Sequence, residues 1–534
     1  MYDLIIKNVR IIDGTGAPWY RGSVAIKDGR IASIGPAAGF GKEKESECAG
    51  LAQIIDGRDK YLSPGFIDIH CHSDSSLPIY PLSESRILQG VTTEIGGACG
   101  ISVAPVSEEP AKKKMLRDYV RDMDFNWNTV GEYLDTIEKM GISTNFGTAV
   151  GHGTIRIKAM GFDERKPTEA EMEDMKETLR QSMYEGAFCF SSGLIYPPGC
   201  YADVEELTEL CKELVPYGAY YETHMRNEGE GVVEAVKEAI AVAEGAGVPL
   251  QISHHKVIRK SVWQVHSRTT IALIDQARRR GLDVKADQYP YTASATSLDS
   301  NLPNWTYKGG VEKMLERLKD PELRARIKQE VNASHVGRWA DIFVAYAATE
   351  KNQWTVGKSL EEIGKLRGVD PADACFDLLI EENNRVGEVN FGMCEDDIEY
   401  IMKQPYTIII SDGEAASFEH SGQPHPRWYG TFPRAIAKYA RDRKLISLEA
   451  AVNKMTGLPA SRAGIQDRGL IRQGMCADLV LFDFDKINDT PSYSEPKQAC
   501  EGILRVYVNG VLTTENGKHT GARAGKVLRK GVNC

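Results

Sequence analysis

The chain has 534 residues, enough for several domains, and its 42% hydrophobic and 26% charged residues are typical of a soluble globular protein. Its formal net charge of −10 excludes a general binder of nucleic acid, which needs clustered lysine and arginine. The 11 cysteines show no repeated spacing, and no segment has the pattern of a signal peptide or a membrane helix. We therefore predict a cytoplasmic protein with reduced thiols and without a nucleic-acid or membrane partner.

Both ends of the chain have the pattern of β-structure. Near the N-terminus, runs rich in β-branched residues lie on either side of Asp28-Gly29, a dipeptide typical of tight hairpins. Asn509-Gly510 separates two similar runs near the C-terminus. We predict that residues 1–61 and 468–534 form one small β-sandwich domain, and that residues 62–467 form a different, central domain.

The central domain alternates short apolar strands with helical segments, which predicts βαβ units and parallel strands. Eight such strands in succession favour an α/β fold of the (β/α)8 TIM-barrel type, and a doubly wound open sheet is the alternative. The predicted strands cover residues 66–72, 92–99, 145–152, 187–192, 219–226, 249–256, 283–291 and 406–412.

The connection between the seventh and the eighth predicted strand is longer than 100 residues. An ordinary connection between a strand and a helix in such a fold has only a few residues. We predict an inserted subdomain at about 293–350 that covers the mouth of the barrel.

The strongest chemical signal is the run Pro-Gly-Phe-Ile-Asp-Ile-His-Cys-His at 64–72. Because side chains alternate along a strand, Asp68, His70 and His72 point to one face and Cys71 points to the other. Two imidazoles at the C-terminal end of a barrel strand can bind one divalent ion. The alternative is a pair of exposed histidines, but the preceding apolar strand favours the metal.

Other predicted strands also end in groups that bind metals. Cys99 follows the second strand, His224 the fifth and His254 the sixth. Cys99 alone is also typical of a buried structural thiol, but three histidine-bearing strand ends together favour a metal site. His255 points away from the face of His254, so we interpret it as structural. His152, at the end of the third strand, is either a packed histidine, which we favour, or a substrate contact.

Asp412 follows a run of three isoleucines at the end of the eighth strand. It is either the N-cap of a following helix or, as we favour, a carboxylate that reaches the metal and acts as a base. Histidines with a carboxylate indicate hydrolysis, since a bound metal lowers the pKa of water to about 7 and a nearby aspartate can transfer the proton.

The motifs at 64–72, Ser253-His254-His255-Lys256 and Ser411-Asp412-Gly413 resemble the amidohydrolase superfamily. More narrowly, four further segments resemble the N-acyl-D-amino-acid deacylases, or D-aminoacylases, and the likeness spans nearly the whole chain. These segments are Gly-Ala-Cys-Gly-Ile-Ser at 97–102, Glu-Thr-His-Met-Arg at 222–226, Tyr-Pro-Tyr at 289–291 and His-Pro-Arg-Trp-Tyr-Gly-Thr-Phe at 425–432.

The resemblance implies one tightly bound zinc ion and a second, weaker metal site. The cysteine replaces the carboxylated lysine of many relatives and can bridge both sites. Asp412 would be the general base and then the general acid. By resemblance, the tight zinc is bound by Cys99, His224 and His254, the second site uses His70, His72 and Asp412, and the substrate carboxylate is bound by Lys256, Tyr289 and Arg427.

From these residues we predict a zinc-dependent hydrolase that releases a carboxylate and a free D-amino acid from an N-acyl-D-amino acid. One alternative is a cyclic amidase or lactonase of the same superfamily, of the hydantoin, dihydropyrimidine or dihydroorotate type. The other is a barrel without activity that serves as an assembly scaffold, which the full set of ligand residues disfavours. The expected partner is the small-molecule substrate, and the expected state is a monomer or a small homo-oligomer.

Overall fold

The computed structural model describes residues 2–36, 53–120, 123–334 and 338–532, so parts of the predicted N-terminal domain and of the insertion lie outside the described residues. The first strands form a hairpin as predicted, with Lys27 paired to Arg30 across the turn. Asp28 and Gly29 both have positive φ angles, 51° and 72°, which this tight turn requires. The N-terminal strands are β1 (Leu4–Ile11), β2 (Tyr20–Lys27), β3 (Arg30–Gly35), β4 (Gln53–Asp56) and β5 (Tyr61–Pro64).

Parallel strands from the middle of the chain form the first seven strands of a barrel. Their side chains are almost all buried, because helices cover the outer face of such a sheet while the inner face fills the barrel. These strands are β6 (Phe66–Asp68), β7 (Val91–Gly96), β8 (Asn145–Thr148) with its continuation β9 (Val150–Gly151), β10 (Cys189–Gly193), β11 (Tyr220–His224), β12 (Leu250–Ile252) and β13 (Val284–Gln288).

The helices of the barrel alternate with these strands. The helix Glu169–Tyr184 begins with a capping box, in which the Thr168 hydroxyl accepts a hydrogen bond from the Glu171 backbone N–H and the Glu171 carboxylate accepts one from the Thr168 backbone N–H. The longer helices are Pro110–Tyr119, Val130–Met140, His152–Met160, Glu169–Tyr184, Val204–Cys211, Val232–Ala246, His266–Arg279 and Glu395–Met402, and the last strand is followed by Arg427–Arg434, Leu448–Met455 and Gly457–Ala463.

A separate unit interrupts the barrel after its seventh strand, β13. It contains an antiparallel sheet of β14 (Ser294–Ser297), β15 (Ile342–Ala347) and β16 (Val386–Asn390), with β16 in the centre. The unit therefore continues past the predicted end at about 350, because the central strand of its sheet comes last in the chain. Its helices are Val311–Lys319, Pro321–Ser334, Leu360–Arg367 and Pro371–Glu381.

The eighth barrel strand, β17 (Thr407–Ile409), closes the barrel. Ile410 donates a backbone hydrogen bond to the carbonyl of Gln288 on the seventh barrel strand, with an N–O distance of 3.1 Å. On the other side, Asp412 donates to the carbonyl of His70 at 3.0 Å, and His72 donates to that of Gly413 at 2.8 Å. The fold is a TIM barrel, and the alternative of an open doubly wound sheet is excluded.

The C-terminal strands β18 (Leu479–Phe482), β19 (Ile503–Val508), β20 (Val511–Glu515) and β21 (Lys518–His519) complete the β domain. Among the described residues, nine strands from both termini form its sheet. Leu479 and Leu481 pack in the core that this domain shares with the N-terminal strands. Val480 and Phe482 point the other way and pack against the barrel. The alternation of apolar residues thus attaches the domain to the barrel. No helix in the described ranges is long and apolar enough to cross a bilayer.

Candidate active site

The six residues predicted as metal ligands lie together at the C-terminal ends of the barrel strands. They form two groups that share Cys99, and within each group the candidate ligand atoms lie within 4.8 Å of one another. Because the C-terminal ends of all parallel barrel strands lie at the same face of the barrel, ligands that are far apart in sequence meet there. One group is His70, His72, Cys99 and Asp412, and the other is Cys99, His224 and His254.

Three of these residues have a left-handed backbone conformation. The φ angles are 55° for Cys99, 33° for His254 and 51° for Asp412. This conformation costs a residue with a side chain about 1–2 kcal/mol, and it concentrates at functional sites. Position 100, next to Cys99, requires a glycine, because a Cβ atom there would lie 2.3 Å from the backbone nitrogen of Gly193.

The thiol of Cys99 lies between two imidazoles. Its Sγ atom is 3.4 Å from Nε2 of His70 and 3.4 Å from Nε2 of His254. Burial by itself would raise the pKa of the Cys99 thiol, but the positive charge available on His254 and His70 lowers this pKa well below its ordinary value. The site therefore favours a thiolate, which is the form that binds metals.

The imidazole nitrogen atoms near Cys99 are placed so that a shared cation suits them better than hydrogen bonds to one another. Nε2 of His254 is 2.9 Å from Nδ1 of His224. Nε2 of His224 is buried and makes no hydrogen bond among the described residues, with Oε2 of Glu228 at 3.6 Å. A thiolate with several imidazoles and a carboxylate is a donor set suited to zinc and similar divalent metals. The residues therefore fit a metal ion.

The Asp412 carboxylate joins this cluster to a buried arginine. Its Oδ1 atom is 3.0 Å from Nε2 of His72, and its Oδ2 atom is 2.7 Å from Nη1 of Arg427. Burial opposes ionisation, but Arg427 and the hydrogen bond from His72 hold the pKa of Asp412 well below its ordinary value. Asp412 is therefore ionised at neutral pH.

The three residues predicted to bind a carboxylate lie together. The Tyr289 ring lies between the other two, 5.5 Å from Nζ of Lys256 and 4.7 Å from the guanidinium carbon of Arg427. The Tyr289 hydroxyl and the Nε atom of Arg427 are buried, and neither has a hydrogen-bond partner in the described part of the chain. Such unsatisfied donors are costly unless a ligand accepts their hydrogen bonds.

Three buried acids at this site were missed by the sequence analysis. Nδ1 of His70 is 3.2 Å from both Glu222 and Asp287, and burial raises the pKa of Glu222 to about 7. Strand alternation could have identified Glu222, which precedes His224 by two residues on β11. Glu228 contacts His254 and Lys256, but it lies in the loop after β11, where no periodicity signals a position.

Two further histidines lie outside the ligand groups. His255 is buried with Nε2 3.0 Å from the Thr270 hydroxyl, as expected for a structural residue. His152 is also buried, and its Nε2 atom is 2.8 Å from Glu206, which in addition pairs with Arg156 at 2.6 Å. The packed alternative for His152 therefore agrees with its contacts.

We expect Glu206→Gln to lower the free energy of unfolding by about 3 kcal/mol, because it leaves a buried arginine without its charged partner. Urea unfolding followed by circular dichroism measures this loss. The control is Glu173→Gln, whose side chain is 66% exposed beside Arg180, with an expected change under about 0.5 kcal/mol. Equal stability of the two variants would contradict the prediction.

Comparison with known proteins identifies the family. The amidohydrolase family matches residues 53–513. A D-aminoacylase from Alcaligenes xylosoxydans xylosoxydans is 34% identical over 531 residues, which is 99% of this chain and 98% of that protein. The chain belongs to the amidohydrolase superfamily and, within it, to the D-aminoacylase family. An N-acyl-D-aspartate deacylase from the same organism is 32% identical over 99% of this chain and 95% of its own length.

Solved structures of this family agree over the full length. The N-acyl-D-glutamate deacylase from Bordetella bronchiseptica, in complex with zinc and a phosphonate mimic of the tetrahedral intermediate, has a TM-score of 0.83 and 32% identity, with 99% of both chains covered. A D-aminoacylase structure has a TM-score of 0.81 and 34% identity, covering 99% of this chain and 100% of that one. The predicted family, barrel fold and class of enzyme, a metal-dependent amidohydrolase acting on linear amides, are confirmed. A D-hydantoinase with 17% identity and a TM-score of 0.55, covering 99% of both chains, shares the fold alone.

Proposed function

We propose that this amidohydrolase cleaves the amide bond of N-acyl-D-amino acids with the help of zinc. The observation that carries the proposal is the pair of buried donors without hydrogen-bond partners, Nε of Arg427 and the hydroxyl of Tyr289, close to the candidate metal ligands and Asp412. A free carboxylate next to the scissile amide is what distinguishes an N-acyl amino acid from a simple amide. The relatives named above, which act on N-acyl-D-aspartate and N-acyl-D-glutamate by name, support the D configuration.

The ligand groups support one tightly held zinc ion and a second, weaker site. Cys99, His224 and His254 would hold the tight ion, and His70, His72 and Asp412 would hold the second with Cys99 shared. When bound, zinc polarises the amide carbonyl and makes water a stronger nucleophile at neutral pH.

The residues of the chain supply the proton transfers and the orientation of the substrate. Asp412, which is ionised, accepts a proton from the attacking water and returns it to the leaving nitrogen, so that the products are a carboxylate and an amine. Arg427, Lys256 and Tyr289 bind the carboxylate of the substrate, since a guanidinium and a phenol donate directly to carboxylate oxygens. This contact fixes the amide over the metal ligands.

We expect Tyr289→Phe to raise KM for N-acetyl-D-amino acids roughly 10-fold, because it removes one hydrogen bond to a charged group and keeps the ring. Steady-state kinetics measure the change, with kcat affected far less. The matched control is Tyr291→Phe, a buried neighbour whose hydroxyl donates a long 3.5 Å hydrogen bond to the carbonyl of Pro426. If both variants have the KM of the wild type, Tyr289 does not bind the carboxylate.

The proposed function is tested by metal analysis of the purified protein together with turnover of N-acetyl-D- and N-acetyl-L-amino acids. Bound zinc and selective release of D-amino acids are expected. Zinc without turnover of either series would instead support a cyclic amide or a lactone as substrate. The cytoplasmic location and the oligomeric state stay predictions.

A further inference from the structure

Glu228 is a buried acid that contacts three residues of the candidate site. Its Oε1 atom is 2.6 Å from Nζ of Lys256 and 3.1 Å from Nδ1 of His254. Its Oε2 atom is 3.6 Å from Nε2 of His224. The side chain is 7% exposed, so these contacts are shielded from water.

The backbone around Glu228 is held from two sides. Its carbonyl accepts a hydrogen bond from the backbone of Ile258, at 2.9 Å, two residues after Lys256. The Asn227 side chain accepts hydrogen bonds from the backbones of Gly229, at 2.8 Å, and Gly231, at 3.0 Å. The loop therefore presents the Glu228 carboxylate in a defined place beside both Nδ1 of His254 and Nζ of Lys256, which are themselves 2.7 Å apart.

We propose that Glu228 is a positioning residue that orients His254 toward the metal and Lys256 toward the substrate carboxylate. The proposal rests on the proposed function. A carboxylate on the far nitrogen of a metal-binding imidazole fixes the orientation of its ring. A lysine has a long flexible stem, so an ion pair with a fixed carboxylate restricts the positions of its ammonium group.

A purely structural role for Glu228 is the competing explanation. The chain offers a matched case, because Glu206 is also buried and also pairs with a histidine and a cation, His152 and Arg156. That cluster includes none of the candidate metal ligands. If Glu228 only stabilises the fold, then Glu228→Gln and Glu206→Gln must have the same kinds of effect.

The experiment compares zinc retention of the holoenzyme and its variants in competition with a chelator. We expect Glu228→Gln to weaken zinc binding roughly 10- to 100-fold, the usual effect of losing such a partner. We also expect KM for an N-acetyl-D-amino acid to rise roughly 10-fold, while kcat at saturating zinc changes far less. If Glu228→Gln does not fold, Glu228→Asp keeps the charge on a shorter side chain and must show both effects to a smaller degree.

Glu206→Gln must lower stability and keep the zinc affinity and KM of the wild type. The proposal is overturned if Glu228→Gln retains zinc as the wild type does, if its KM is unchanged, or if both variants lose zinc equally. A wild type that binds zinc but cleaves no N-acyl-D-amino acid would contradict the proposed function. The chelator comparison would still decide whether Glu228 positions His254.

Discussion

Asp412→Asn is expected to lower kcat roughly 10²- to 10⁴-fold while the protein stays folded and keeps its tightly bound metal. Asparagine has almost the same shape and can still contact His72 and Arg427, which lie 3.0 Å and 2.7 Å from the carboxylate oxygens. It cannot accept a proton at neutral pH. Because Cys99, His224 and His254 are unchanged, the loss should be one of turnover.

Turnover of an N-acetyl-D-amino acid and metal content of the same sample measure this effect. The control is Asp283→Asn, at the opposite end of the barrel strands, where the aspartate pairs with Arg462 at 3.1 Å. Its turnover should equal that of the wild type. An Asp412→Asn enzyme that keeps most of its turnover would show that another group is the base.

Cys99→Ser is expected to weaken the tight metal site roughly 100- to 1,000-fold, the effect of losing one ligand from a set whose total binding free energy is about 10–16 kcal/mol. The Sγ atom belongs to both ligand groups and lies 3.4 Å from His70 and from His254. A serine hydroxyl stays neutral at neutral pH, so the negative charge between these imidazoles is lost.

Competition between the protein and a chelator of known affinity measures the weakening. Cys71→Ser is the matched control, since this buried thiol lies in the same region but donates to the carbonyl of Ile95 at 3.3 Å. It should retain zinc. Equal zinc affinity of Cys99→Ser and the wild type would exclude Cys99 as a ligand.

The strand ends that carry the candidate ligands could be recognised from the sequence. Alternation along 64–72 assigns His70 and His72 to one face of a strand, and a carboxylate two residues after three isoleucines at 408–410 has few roles on a surface. Local patterns of this kind depend only on the geometry of a strand. They can therefore be recognised from the sequence without knowing which other segments lie next to them in the fold.

The pocket for a substrate carboxylate was predicted from family resemblance and only partly from the residues themselves. Alternation assigns Lys256 to the face of His254, but no local pattern marks Arg427, which follows a proline at the start of a helix. Its burial and its ion pair with Asp412 result from the closure of the barrel and the position of the β14 strand, whose Ala295 carbonyl accepts its hydrogen bond at 3.1 Å.

The eight barrel strands, the β-rich ends and the residues at the strand ends could be predicted from the sequence, because these features follow from periodicities of a few residues. The extent of the inserted sheet, whose central strand comes last, and the contacts of Glu228 with His254 and Lys256 became apparent in the folded chain. Such contacts join loops that have no period of their own. Their positions depend on how complete strands and helices pack, which no local pattern contains.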